Sequence, residues 1–80
     1  MNTQVEINTL TERELEVLKY IVQGYTNKQI AKLLIITHST VKAHVSSILE
    51  KTKAKNRLEA AFIAEALGLF PNPHQDSILP

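Results

Sequence analysis

Apolar residues in the first third of the chain recur at helical spacing behind a strong helix-start signal. Thr11 is followed three residues later by Glu14, the spacing of a capping box, in which each side chain accepts a backbone N–H of the other residue. Leu10 precedes this box at a hydrophobic-staple position. The pattern predicts a first helix to about Gln23, closed by Gly24, with an apolar face made of Leu15, Leu18, Ile21 and Val22.

The same start signal is repeated at Thr26, with Gln29 three residues later. Tyr25 and Ile30 take the staple positions, as Leu10 and Leu15 do for the first helix. The repeat predicts a short second helix, whose apolar positions are Ile30, Ala31, Leu33 and Leu34.

Thr37 is a good N-cap for a third helix that runs to about Lys53. Its predicted core face is formed by Val41, Val45 and Ile48, with Leu49 beside them. The composition of residues 35–37 would also suit a short strand, but the chain has no second run with which that strand could pair. We therefore expect an all-α fold.

A fourth helix is predicted from Arg57 to Leu67, with Asn56 and Glu59 as cap and box and Gly68 as the closing residue. It carries two stripes, Leu58–Phe62–Glu65 and Ala61–Ala64–Ala66; one must face the core, and the other is open to a second copy of the chain. The periodicity then stops at two prolines. We predict a flexible arm (1–9), a four-helix domain (10–68) and an extended tail (69–80).

Eighty residues suffice for one domain, and the absence of cysteine excludes disulfides and thiolate metal sites. No apolar run is long enough to span a bilayer, and MNTQVEINTL lacks the basic and apolar regions of a signal peptide. We expect a cytoplasmic protein with no membrane partner. His38, His44 and His74 have no carboxylate or thiol at a spacing that would complete a metal site, so no metal or other cofactor is predicted.

The net charge of +1 conceals an uneven distribution of charge. Residues 27–57 carry seven Lys or Arg and one Glu, a net charge of +6, whereas the segments before and after carry −2 and −3. A basic block between acidic ends points to a polyanionic partner that meets one face of the domain. A solvated lysine-rich surface is the simpler alternative.

A helical wheel of the third helix places Ser39, Ala43, Ser46, Ser47 and Glu50 outward, with Lys42 at the flank. Such a helix fits the major groove of DNA, where Lys42 can donate to guanine, Ser46 can donate or accept, and Ala43 can contact a thymine methyl. The predicted base contacts are Lys42, Ala43, Ser46 and Ser39. The predicted phosphate contacts lie at two helix starts and at the far end of the third helix: Asn27, Lys28, Thr37, Thr40, Lys51, Lys53 and Lys55, with Arg57 adding charge.

LTERELEVL, GYTNKQIAKLL, ITHSTVKAHVSSILEK and NRLEAA, in this order, resemble the LuxR/GerE-type helix-turn-helix domain of bacterial response regulators and quorum-sensing activators. The resemblance covers residues 10 to about 68. It implies that the third helix enters the major groove with Lys42, Ala43 and Ser46 on its base-reading positions, and that the fourth helix forms a homodimer. The chain departs from the family pattern at Thr52, Lys53 and Ala54, where leucine, glycine and valine are common.

The sequence thus predicts a transcription regulator that binds palindromic double-stranded DNA as a homodimer, in the nucleoid, with RNA polymerase as a further partner. The dimer contacts would be Leu58, Ala61, Phe62 and Glu65. The alternative is a protein-interaction module that keeps the helix-turn-helix fold but contacts another regulator or RNA polymerase. A hydrolase is disfavoured because no nucleophile and base are evident, and Glu14 is accounted for by its capping box. No enzymatic activity and no small-molecule ligand are expected.

Overall fold

The computed structural model describes residues 9–70, which form four helices and no strand. They are α1 (Glu12–Val22), α2 (Asn27–Leu34), α3 (His38–Thr52) and α4 (Arg57–Ala66). α1 packs on α3 and α4, α2 packs on α3, and α3 packs on α4. The all-α prediction is confirmed, and each helix begins within one residue of the predicted start.

The helix starts are set by local hydrogen bonds. Thr11 and Glu14 form the predicted capping box, with both bonds at 3.0 Å, and Thr26 and Gln29 form a second one with bonds of 3.1 and 2.8 Å. At α4 the predicted box is only half correct. The Asn56 side chain accepts the Glu59 N–H at 2.8 Å, but the Glu59 carboxylate accepts the N–H of Lys55, at 2.6 Å, instead of that of Asn56.

The connection between α2 and α3 is three residues long and begins with a residue in an unusual conformation. Ile35, the C-cap of α2, has a φ of 57° in the left-handed region, which a β-branched side chain rarely adopts. The N–H of Ile36 reaches back to the carbonyl of Ala31 at 3.0 Å and ends the helix sharply. This turn sets the angle at which α3 leaves α2. The Ile35 side chain itself is 89% exposed.

The core contains residues from all four helices. Its buried apolar residues are Leu10, Val17, Leu18, Ile21, Ile30, Val41, Ile48, Ala60 and Ala64. The predicted face of α1 is partly wrong, because Val17 was missed and is fully buried, whereas Leu15 and Val22 are only half-buried. On α2 only Ile30 is fully buried, and Leu33 is 48% exposed.

Thr52, a departure from the family pattern, is fully buried in the last turn of α3. Its hydroxyl donates to the carbonyl of Ile48 at 2.7 Å, so burial leaves the polar group satisfied. The helix therefore continues to Thr52, and Lys53 ends it with a φ of 62°. A polar residue is accommodated in the core here by the backbone of its own helix.

Of the predicted tail, the structure describes Leu69 and Phe70, which are half-buried and pack against the core. Residues 71–80 lie outside the described residues, as do residues 1–8 of the predicted arm. The carbonyl of Thr9 accepts a hydrogen bond from Lys51 at 2.9 Å.

Candidate nucleic-acid interface

The four predicted base-reading residues lie together on the outer face of α3. Lys42, Ala43, Ser46 and Ser39 are all exposed, and their spacing of three and four residues puts them on one side of the helix. The opposite side is anchored in the core by Val41, Ile48 and Thr52. The outward face is thus held rigidly by buried residues of the same helix, and its side chains are small apart from Lys42.

Glu50 and Ser47 limit how much of α3 this face includes. Glu50 is exposed four residues after Ser46, so a carboxylate stands at the C-terminal end of the face. Ser47 was predicted to point outward, but it is half-buried and its hydroxyl donates to a Glu14 carboxylate oxygen at 2.8 Å. The part of the outer face that is free of carboxylates is therefore confined to the first two to three turns of α3.

The helices differ in the charge of their first turns. α2 and α3 have no acidic residue there, whereas α1 has Glu12 and Glu14 and α4 has Glu59. At α3 the Thr37 hydroxyl oxygen accepts the N–H of Thr40 at 3.1 Å and lies 2.8 Å from the Thr40 hydroxyl. Helix N-termini carry partial positive charge and unpaired N–H groups. The starts of α2 and α3 can therefore receive an anion without repulsion from a carboxylate in their own first turns.

The cations of the basic block fall into two groups. Lys51 and Arg57 are half-buried and bound within the domain, whereas the exposed lysines make no ion pair among residues 9–70: Lys28, Lys32, Lys42, Lys53 and Lys55. Lys51, predicted as a phosphate contact, donates to Glu14 at 2.8 Å and to the Thr9 carbonyl at 2.9 Å. Its ammonium is bound by these two acceptors and holds α3 to α1, so Lys51 is not among the proposed DNA contacts.

Glu14 is a buried carboxylate with three hydrogen-bond donors. Burial alone raises the pKa of its carboxyl group, but the bonds from Lys51, the Thr11 N–H and Ser47, together with the Lys51 charge, outweigh burial and lower the pKa to about 2. The side chain therefore joins α1 to α3 as an anion at neutral pH. Through Ser47 and Lys51 it holds one flank of α3 against α1.

Arg57, predicted as a surface charge, joins the starts of two helices. Its guanidinium donates to the side-chain oxygen of Asn27 at 2.7 Å and to the carbonyl of Tyr25 at 2.6 Å. Burial lowers the pKa of Arg57. Asn27, a predicted phosphate contact, is thus already held through its oxygen.

The outer face of α4 is apolar. Leu58 is 72% exposed and Phe62 is 67% exposed, with Glu65 exposed and Ala61 half-buried beside them. Ala60 and Ala64 form the buried side. Of the two predicted stripes, Leu58–Phe62–Glu65 therefore points outward and is available to a partner. The other stripe is only partly the core face, because Ala64 is buried but Ala61 is half-buried and Ala66 is exposed.

Within residues 9–70 no group of three or more His, Asp or Glu side chains is placed to hold a metal ion. None of the four helices has the length and apolarity that crossing a membrane would require.

A family model described as bacterial regulatory proteins of the luxR family (GerE) matches residues 8–64. The chain belongs to this family. The match includes α1, α2, α3 and most of α4, with the complete outer face of α3. The resemblance seen in the sequence is confirmed, and with it the predicted class, a bacterial regulatory protein.

The relatives that the chain matches are longer proteins. The nitrate/nitrite response regulator protein NarL of Escherichia coli (strain K12) is 54% identical over 59 residues, 74% of this chain and 27% of NarL. The transcriptional regulatory protein DesR of Bacillus subtilis (strain 168) is 45% identical over 65 residues, 81% of this chain and 33% of DesR. The response regulator protein VraR of Staphylococcus aureus (strain COL) is 49% identical over 55 residues, 69% of this chain and 26% of VraR. The chain thus spans about a third or less of these relatives.

Proposed function

We propose that this luxR-family domain binds double-stranded DNA sequence-specifically and regulates transcription, with α3 lying in the major groove. The observation that carries the proposal is the outer face of α3, on which small exposed side chains and one lysine stand over a buried anchor. An α-helix fits the major groove of B-DNA, and small side chains let its backbone approach the bases. α3 has 15 residues and is therefore about 22 Å long, enough to follow the groove.

Lys42, Ala43, Ser46 and Ser39 are the proposed base contacts. Lys42 would donate to the O6 and N7 acceptors of guanine, and Ala43 would contact a thymine methyl group. Ser46 and Ser39 can donate or accept. Because only one of the four side chains is long and charged, specificity per half-site should be modest.

The proposed phosphate contacts surround this face. Asn27 and Lys28 belong to the first turn of α2, and Thr37 and Thr40 flank the start of α3. Lys53 and Lys55 are exposed beyond the end of α3. Such contacts would fix the register of α3 on the duplex without reading its sequence.

We further propose a two-fold dimer through the outer face of α4, formed by Leu58, Ala61, Phe62 and Glu65. The support is the exposure of two large apolar side chains on the side of α4 that faces away from the core. A two-fold dimer would bring two copies of α3 to palindromic half-sites about one helical turn apart. The proposed domain comprises residues 10–68 and extends to Phe70, which packs against the core. It would work in the cytoplasm, with RNA polymerase as a further partner, and would have no enzymatic activity.

Binding to duplex DNA should depend steeply on salt. Three of the proposed phosphate contacts are lysines: Lys28, Lys53 and Lys55. A plot of the logarithm of the association constant against the logarithm of the salt concentration should therefore have a slope of about −3 for one domain. Fluorescence anisotropy with a mixed-sequence duplex, at salt concentrations from about 50 to about 200 mM, measures this slope. No binding to duplex at the low-salt end would contradict the proposal and would favour the protein-interaction module instead.

Phe62→Asp should keep the domain monomeric and lower its affinity for a two-half-site duplex by about tenfold or more, because the two half-sites no longer act together. Affinity for a single half-site should not change. Leu67→Asp is the control, since it adds the same charge at an exposed apolar residue, the C-cap of α4, about 140° away around the helix axis. Sedimentation equilibrium and titration of both duplexes provide the measurement. A folded Phe62→Asp variant with unchanged affinity for the two-half-site duplex would exclude this dimer.

A further inference from the structure

Arg57 reaches from the first residue of α4 to the first residue of α2. One terminal nitrogen donates to Asn27 Oδ1 at 2.7 Å, and the other donates to the Tyr25 carbonyl at 2.6 Å. Asn27 and Arg57 are 30 residues apart in the chain, and both are half-buried. The planar guanidinium is thus fixed at two points, which a single ammonium would not reproduce.

This contact determines which way the Asn27 amide faces. A guanidinium has only donors, so the amide must turn its oxygen toward Arg57. The Nδ2 amino group then points away from Arg57. It has no hydrogen-bond partner in the part of the chain that the structure describes, and it is not among buried unpaired atoms there. Asn27 therefore presents an oriented pair of N–H donors to solvent.

We propose that Arg57 is a positioning residue for DNA binding, which holds the Asn27 amide so that Nδ2 donates to a backbone phosphate. The inference rests on the proposed function and adds to it, because Arg57 would act through Asn27 and would not contact DNA itself. Without Arg57 the Asn27 amide can rotate. Its oxygen, which the negative phosphate repels, can then face the phosphate in place of Nδ2. Since Arg57 belongs to α4, the contact also connects the helix of the proposed dimer face to the start of α2.

A double-mutant cycle separates this role from a direct contact. Asn27→Ala and Arg57→Met should each lower the affinity for duplex DNA about fivefold, the equivalent of one hydrogen bond. The double variant should lose about fivefold as well, because Arg57 has nothing left to position. Arg13→Met is the matched control for a lost cation, since Arg13 is exposed and pairs only with Glu16. Thermal unfolding of each variant shows whether it remains folded.

A loss of about 25-fold in the double variant, the product of the single losses, would overturn the positioning role while leaving the proposed function intact. So would an Arg57→Met variant that binds like Arg13→Met. Failure of the unmodified domain to bind any duplex would overturn both. A second measurement needs no Arg57 variant: the Asn27 side-chain NH2 signals, assigned by their loss in Asn27→Ala, should shift in the ¹H–¹⁵N spectrum when duplex is added. Unshifted signals on a DNA-bound domain would overturn the proposal.

Discussion

Lys42→Ala should weaken binding to the specific DNA site by about 1 to 3 kcal/mol and relax the preference at one base pair. The physical reason is that Lys42 is the one exposed long cation on the outer face of α3, where it can reach the acceptors of a guanine. Binding to a random duplex should fall much less, because the lost hydrogen bonds to guanine form only where a guanine stands at that position. Titration of the specific and the random duplex at one salt concentration measures both effects.

Lys28→Ala is the matched control for Lys42→Ala. It removes the same charge from an exposed position in the first turn of α2, and it should weaken the specific and the random duplex alike, with a salt slope smaller by about 1. Lys53→Ala removes a charge that is exposed beyond the end of α3 and should likewise weaken both duplexes alike. Equal losses from Lys42→Ala and Lys28→Ala on both duplexes would mean that α3 does not read bases.

Glu14→Gln should destabilise the domain by about 3 kcal/mol at neutral pH, because lowering the pKa of the Glu14 carboxyl group from 4.5 to about 2 stabilises the fold by about that amount. The lowered pKa means that this stabilisation is complete above about pH 5 and is lost as the pH falls from 4.5 to 2. The stability of the unmodified domain should therefore fall over this range and approach that of Glu14→Gln. Urea unfolding at several pH values tests this.

Glutamine keeps the acceptor of the capping box, so Glu14→Gln isolates the ion pair with Lys51 from the cap. Glu16→Gln is the control on the same helix, since Glu16 forms only an exposed pair with Arg13 at 3.2 Å. It should change the free energy of unfolding by less than about 1 kcal/mol. The free energies of unfolding of Glu14→Gln and the unmodified domain should differ less as the pH falls. A difference that stays constant from about pH 7 to about pH 2 would contradict the assigned role of Glu14.

The helix starts could be predicted because capping is local. Thr11, Thr26 and Thr37 each find their partner three residues along the chain, and the signal is visible without any knowledge of tertiary structure. The outer face of α3 was also predictable, because a helix with a clear buried side leaves the other side exposed. Lys42, Ala43, Ser46 and Ser39 are exposed as predicted, whereas Ser47 is half-buried against Glu14. The contacts of this face with DNA remain predictions.

Contacts between distant residues could not be predicted. The core face of α1 was misassigned because Glu14 is charged and yet buried on that face. Two of the three donors that make its burial favourable, Ser47 and Lys51, lie 33 and 37 residues away in the chain. Arg57 looked like a surface cation because its partner Asn27 lies 30 residues earlier. The core face of α4 also depended on packing distance. The small Ala64, from one predicted stripe, and Ala60, from neither stripe, allow close approach to the core, and the large Leu58 and Phe62 remain outside.

Selection of binding sites from a random duplex library tests the central claim most directly, the claim that α3 reads base pairs in the major groove. We expect an enriched motif with two inverted half-sites whose centres lie about 10 to 10.5 base pairs apart. The library selected by Lys42→Ala should lose its preference at one position in each half-site. Retention of duplex DNA without enrichment of any motif would contradict the claim.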